Sequence, residues 1–334
     1  MFGKCRSALY DYEKRLHSDY FTDDIILQHV HELRVGMPRI GTRKLHYLLV
    51  PMLAEHGIRQ GRDQLFDLLE EHKLLIRRRK RKAITTDSRH WMHKWPNQIK
   101  ELSVIRPEQL WVSDITYIRL DKQWAYLSLV TDAYSRQIMG YSFRTDMSVQ
   151  GCSEALQMAL SNRRYPWASL IHHSDRGSQY CSAPYVKLLH DNGIAISMTE
   201  NGDPYENALA ERMNGIIKGE FNLYESRVSL PQTILRIRQS INAYNHQRPH
   251  SSCNMLTPAK AHLETGMLKK RWKTYQRNTG KADKKEAGTA LIKEQERASF
   301  LPDGSLNNHL KESGAVQFKQ DKSKNCIPFT GLKI

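Results

Sequence analysis

Residues 111–143 read WVSDITYIRLDKQWAYLSLVTDAYSRQIMGYSF, and this stretch decides the fold. Its first ten residues alternate, with Val112, Asp114, Thr116 and Ile118 on one face, the period of a half-buried strand. The polar turn DKQ leads to WAYLSLVTDAYS, and a turn around Ser135 and Arg136 leads to QIMGYSF. Three strands joined by tight turns predict an antiparallel meander. Downstream the pattern changes. SVQGCSEALQMALSNRR (148–164) reads as a helix, SLIHHSD (169–175) as a buried strand, APYVKLLHDNG (183–193) as a helix stopped by Asn192–Gly193, and AISMT (195–199) as another strand. A meander followed by alternating helices and strands gives a mixed α/β sheet of five strands with covering helices. That order is the order of an RNase H-like domain.

Upstream, residues 21–76 read as helical. Asp23 and Asp24 are placed to cap a helix IILQHVHELRVG that stops at Gly36; GTRKLHYLLVPMLAEHG forms a second helix ending at Gly57, and RDQLFDLLEEHKLL a third. Three short helices with Gly-marked turns fit a helix-turn-helix-like module, and a plain helical bundle fits equally. The expected organisation is a helical module over 1–82, an irregular linker over 83–108, a catalytic core over 109–265, and a basic, poorly ordered tail over 266–334.

The chain has 334 residues, 40% of them hydrophobic, and a net charge of +16. That charge falls as +6 on 1–82, +2 on 83–268 and +8 on 269–334. A near-neutral middle with basic flanks points to a core that does chemistry and ends that hold a polyanion. The run Arg77, Arg78, Arg79, Lys80, Arg81 and Lys82 is read as phosphate contact, the alternative being a solvated linker. No apolar run reaches membrane-spanning length, and no secretory signal is visible, so the expected setting is cytoplasmic. Five scattered cysteines without a C-x-x-C pair disfavour structural zinc and a disulfide framework.

Three carboxylates stand out. Asp114 lies inside the first strand of the meander; Asp175 ends SLIHHSD just before the turn RGSQY; Glu211 lies on the helical segment NALAERMNGIIKGEF, with 35 residues between it and Asp175. Acids from two strands and a helix suit a pair of divalent cations acting on a phosphodiester. In ENGDPYENALAERMNGIIKGEF, Asp203, Pro204 and Glu206 form an N-terminal capping signature. Asn207, Glu211, Asn214 and Lys218 then fall on one helical stripe, opposite Tyr205, Leu209, Met213, Ile216 and Ile217. Asp132 competes with Asp114 but reads better as a turn cap, and His172 and His173 read as packed or hydrogen-bonded histidines.

WVSDITYI, TDAYSR, HHSDRGSQY, NGDPYENALAER and YNHQRPHSS (244–252) resemble, in order and spacing, the DDE transposases of bacterial insertion sequences. The likeness is to the group with an integrase-type core that is encoded in two overlapping frames, and this chain looks like its second-frame product. It covers roughly residues 1–265. The resemblance implies a retroviral-integrase-like core in which Asp114, Asp175 and Glu211 bind two Mg²⁺ ions, with Mn²⁺ as a substitute, about 4 Å apart. It implies that water nicks the element end and that the freed 3′-hydroxyl attacks a second phosphodiester. Lys218 matches a basic position thought to contact the element end. Asn207, Asn214, Arg248 and His250 are further DNA candidates, with a folded cap as the alternative for the last two. Implied partners are DNA (element ends and target), further copies of the chain, and the upstream-frame helix-turn-helix product; the implied setting is a bacterial nucleoid. The opening MFGKCRSALY reads as the middle of a related helix. Competing expectations are a domesticated RNase H-like nuclease and a catalytically inactive DNA-binding remnant.

Overall fold

The computed structural model describes residues 6–77, 91–121, 123–200, 207–226 and 228–269. The meander is present as β1 (Leu110–Leu120), β2 (Trp124–Asp132) and β3 (Ile138–Arg144), each antiparallel to the next. Helix α4 (Val149–Ser161) then leads to β4 (Ile171–Ser174), and two further helices, α5 (Ser178–Cys181) and α6 (Ala183–Asp191), lead to β5 (Ala195–Met198). β4 and β5 run parallel to β1, so the five strands lie in the order β3-β2-β1-β4-β5 with β1 at the centre. This is the RNase H-like arrangement that the sequence led us to expect. One strand was not foreseen: β6 (Glu225–Ser226) pairs in parallel with the far end of β1, at Arg119 and Leu120.

Both faces of the sheet are covered, which is why β2 is buried along nearly its whole length. On one face Trp111, Val130 and Met139 pack with Leu156 of α4 and Tyr185 of α6. α4 crosses β3 so closely that a Cβ at Gly140 would collide with the backbone of Ala155 and Ala159; only glycine admits this contact. On the other face Ile118, Leu127, Leu129 and Ile138 pack with Met213 and Ile217 of α7 (Ala208–Glu220) and with Ile237, Ile241 and Tyr244 of α8 (Leu230–His246).

The N-terminal helices differ from expectation at one point. α1 runs from Arg6 to Gly36 without a break, so Asp23 and Asp24 lie inside it and not at a helix start. Between Arg6 and Val35 there is no glycine or proline to interrupt the helix, and a capping residue without a breaker does not start one. α2 (Thr42–Glu55) and α3 (Arg62–Glu71) fall where expected; α2 is stopped by Gly57 at φ +68°, and Gln64 Oε1 accepts the Gly61 N–H at 2.8 Å to cap α3. These helices share one hydrophobic cluster with α7 and α8, and every described residue belongs to a single compact unit, Met1–Lys273. Residues 91–109 form neither helix nor strand, but they are bound in place. Gln98 donates its backbone N–H to Ser197 Oγ and its amide to Ile196 O, which covers the outer edge of β5. Arg78–Lys82, the capping residues Asp203, Pro204 and Glu206, and the tail beyond residue 269 lie outside the described residues.

Glu220, at the end of α7, ties three segments together. Arg248 donates to both its carboxylate oxygens (2.6 and 2.7 Å), Lys44 of α2 donates at 3.2 Å, and the Glu220 carbonyl accepts the Arg39 N–H. Arg248 is 2% exposed and stacks on Tyr244. Removing one member of such a buried pair strands the other, and typically costs about 3–5 kcal/mol. Arg248→Ala is therefore expected to lower the unfolding free energy measured in urea by that order, whereas the exposed Arg62→Ala leaves it unchanged.

A second buried cluster joins the start of β1 to the segment after α8. Glu108 accepts the backbone N–H groups of Arg164 (2.6 Å) and Tyr165 (3.0 Å), faces Arg163, and contacts His262 Nε2 at 3.3 Å. Burial disfavours the charged imidazole, but hydrogen bonds and charge from Asp132 and Glu108 prevail and push His262 up to about 9. Its folded-state pKa thus lies above its ordinary value. The cluster contributes fully below about pH 6.5 and is lost as pH rises through about 9. Denaturation midpoints should fall across that window, and the fall should be blunted in His262→Gln.

Candidate active site

β1 and β4 are neighbouring parallel strands in the register Trp111↔His172 and Val112↔His173. Continued by two residues, that register sets Asp114 level with Asp175 on the same side of the sheet. Asp175 lies just past the end of β4, where its Oδ1 accepts the Gly177 N–H at 3.0 Å and closes the turn into α5. α7 lies across β1 and carries Glu211 in its first turn, its side chain exposed.

The stripe read from the sequence faces β1 rather than solvent. Asn214 Nδ2 donates to Asp114 Oδ2 at 2.8 Å, Asn207 Nδ2 to Ser113 O at 3.2 Å, and Lys218 Nζ to Tyr117 O at 3.4 Å. The other Asp114 oxygen accepts the Ile115 N–H at 2.9 Å. Asn207 and Asn214 are therefore buried anchors of α7, which corrects their reading as DNA contacts; a helix whose second polar side meets a strand spends those side chains internally. Lys218 is half-buried, with Nζ 5.5 Å from the centre of the Tyr224 ring. Arg248 is likewise corrected: it is sealed under Tyr244 and Glu220, and the alternative of a cap closing the domain holds for it. Arg77 is exposed, with its carbonyl accepting from Arg39.

The remaining candidates separate cleanly. His172 is fully buried between Ser113 Oγ (2.8 Å) and Tyr185 OH (2.9 Å), and burial with the neighbouring His173 holds it down at about 3. His173 bonds Ser197 Oγ. Neither serves the carboxylate site. Asp132 is buried, accepts from Ser135 and the Glu108 N–H, and organises the β2–β3 turn. Sequence reasoning missed Glu108 and His262 altogether, because their partners are distant in the chain.

Asp114 carries the electrostatic signature of the site. Burial raises its pKa first and the Asp175 charge second; the Asn214 and Ile115 hydrogen bonds oppose them, Glu211 adds a smaller push, and the result is about 7. A surplus of negative charge with hard oxygen donors suits a divalent cation such as Mg²⁺. As arranged here, the described residues contain no group of three His, Cys, Asp or Glu drawn together tightly enough to hold an ion. Asp114 and Asp175 are the coupled pair, and Glu211 is the outer arm.

The Integrase core domain family matches residues 105–204, and a second family of the same description matches 192–258. An insertion element IS600 protein of 31 kDa from Shigella sonnei is 35% identical over 263 residues, covering 78% of this chain and 95% of the relative. The chain belongs to the insertion-sequence transposases with an integrase-type core. It is thus a polynucleotidyl transferase of the DDE type that acts on DNA. Transposase InsF of insertion sequence IS3fB from Escherichia coli K12 is 40% identical over 153 residues, which is 46% of this chain and about half (53%) of that relative. Among solved structures, the HTLV-2 integrase catalytic core with magnesium is 20% identical, with TM-score 0.38, over 47% of this chain and 97% of its own. A chain of the simian T-cell lymphotropic virus intasome in complex with PP2A regulatory subunit B56 gamma is 18% identical, with TM-score 0.43, over 71% and 81%.

In metal-free protein the raised Asp114 opposes folding. The penalty is absent below its ordinary pKa near 4 and complete above about 7. Asp114→Asn should therefore stabilise the protein at pH 8 by roughly 1–3 kcal/mol and by nothing at pH 4, as measured by denaturation in EDTA.

Proposed function

We propose that this chain cuts and joins DNA at the ends of a mobile element, with Asp114, Asp175 and Glu211 as its catalytic carboxylates. The observation that supports this reading is the electrostatic coupling of Asp114, on β1, with Asp175, just past the end of the adjacent parallel strand β4, beside a helix that carries Glu211. The three acids would hold Mg²⁺, as two ions, with Mn²⁺ able to replace it. When bound, such ions supply Lewis acidity at both the attacking and the leaving oxygen of an in-line displacement.

The chain's own residues account for the rest. The Ile115 N–H and the Asn214 amide fix the Asp114 carboxylate from two sides, so its oxygens present one geometry to the site. The Gly177 N–H does the same for Asp175. Lys218, along α7 from Glu211, would neutralise a phosphate of the element end. The basic run Arg77–Lys82 adds backbone contacts outside the core, and the helices α1–α3 serve as the helix-turn-helix-like DNA-binding module. We further propose that the active species is an oligomer on paired ends, working at the bacterial nucleoid with the upstream-frame product. Among the described residues no helix is long and apolar enough to cross a membrane.

Asp175→Asn is expected to abolish Mg²⁺-dependent cleavage and joining of element-end DNA while leaving DNA affinity within about twofold, since the change removes a metal holder and adds no clash. Cleavage at the wild-type rate by that variant would sink the assignment.

A further inference from the structure

Beside the first turns of α7 lies an open cleft of about 310 Å³, walled by Arg136, Ala208, Leu209, Arg212, Met213, His250 and Ser252. None of these takes part in the carboxylate site. His250 is 3% exposed. Its Nδ1 accepts the Ser252 N–H at 3.3 Å, which places the ring proton on Nε2, and Nε2 is buried with no partner. Burial and the cations Arg248, Arg136, Lys44 and Arg212 around it keep the ring neutral, so it offers one N–H donor and no acceptor to the cleft.

Arg136, at φ +68° in the β2–β3 turn, donates Nη1 to Ala133 O at 2.6 Å and leaves a buried Nε unpartnered. Asp132, the carboxylate that acts on Arg136, is already engaged by the Glu108 N–H and by Ser135. Arg212 is exposed at the rim. Ala208 and Leu209 open α7, whose first turn has no side-chain cap. Unmet donors from a histidine and an arginine thus border one concave space beside the start of α7. Unsatisfied buried donors are costly, and an anion satisfies them together.

We propose that this cleft is a phosphodiester subsite that holds a backbone phosphate of DNA. The proposal rests on the reading that the chain acts on DNA and extends it to a second contact point. Glu211 and Arg212 are sequence neighbours on α7, so a strand held at both places would wrap the first turn of the helix. The open form of the cleft suits a continuous backbone passing through it.

The test is fluorescence anisotropy of element-end duplex with full-length protein in EDTA, at several salt concentrations. Arg212→Ala, an exposed change, and His250→Gln are compared with wild type, with Arg212→Lys, and with Lys187→Ala on α6, which packs on the opposite face of the sheet. Arg212→Ala should weaken binding several-fold and flatten the slope of log Kd against log salt by about 1, the mark of one lost phosphate contact. His250→Gln should weaken binding as well; Arg212→Lys should keep the slope, and Lys187→Ala should change nothing. Unchanged affinity and slope in folded Arg212→Ala would overturn the proposal, as would an equal loss in Lys187→Ala. If inorganic phosphate raises the melting temperature of wild type but not of Arg212→Ala, while DNA affinity is the same in both, the cleft is a free-anion site and the proposal fails. Failure of the wild type itself to bind or cut DNA would instead count against the transposase chemistry, so the two ideas fall separately.

Discussion

Two like charges, one on β1 and one just past the end of the neighbouring parallel strand β4, form the constraint on which the site depends. The register of β1 against β4 sets Asp114 level with Asp175, and burial leaves Asp114 little solvent to dilute the repulsion. A fold under no functional demand would remove one of these acids. Here the surrounding elements hold them instead: the Ile115 N–H and the Asn214 amide on Asp114, the Gly177 N–H on Asp175. The strain is local and electrostatic, the kind of perturbed carboxylate that clusters at functional sites.

β1 can carry this role because it is central. β2 satisfies its backbone on one side and β4 on the other, while α7 covers its face through Asn207, Asn214 and Lys218. Helix α7 is fixed in turn at its C-terminal end, where Glu220 gathers Arg248 from the segment after α8 and Lys44 from α2. The N-terminal helices are therefore built into the body that positions Glu211, through a shared core as well as this ion network. The Glu108–His262–Asp132 cluster closes the other end of the same assembly.

Much of this was legible in the chain. Strand alternation around Asp114, the helical stripe from Asn207 to Lys218, and the stops at Gly36, Gly57 and Gly193 are local patterns, and local patterns are written in residue order. The reading failed where the competing information was not local. Asp23 and Asp24 looked like caps, yet nothing before them breaks the helix. Arg248 looked like a free cation in YNHQRPHSS, but its partner Glu220 lies 28 residues away.

The sequence by itself determined most of the elements and their order in the core, because hydrophobic period, turn chemistry and ordered motifs act over a few residues. Only the tertiary structure decided which polar groups are spent inside the protein and which are left to meet a ligand. Asn207 and Asn214 spend their amide N–H groups on strand β1 and Arg248 its guanidinium on Glu220, while the two Asn carbonyl oxygens, His250 Nε2 and Arg136 Nε stay buried without a protein partner. That difference follows from burial and from partners brought together by the sheet, which no spacing of residues along the chain encodes.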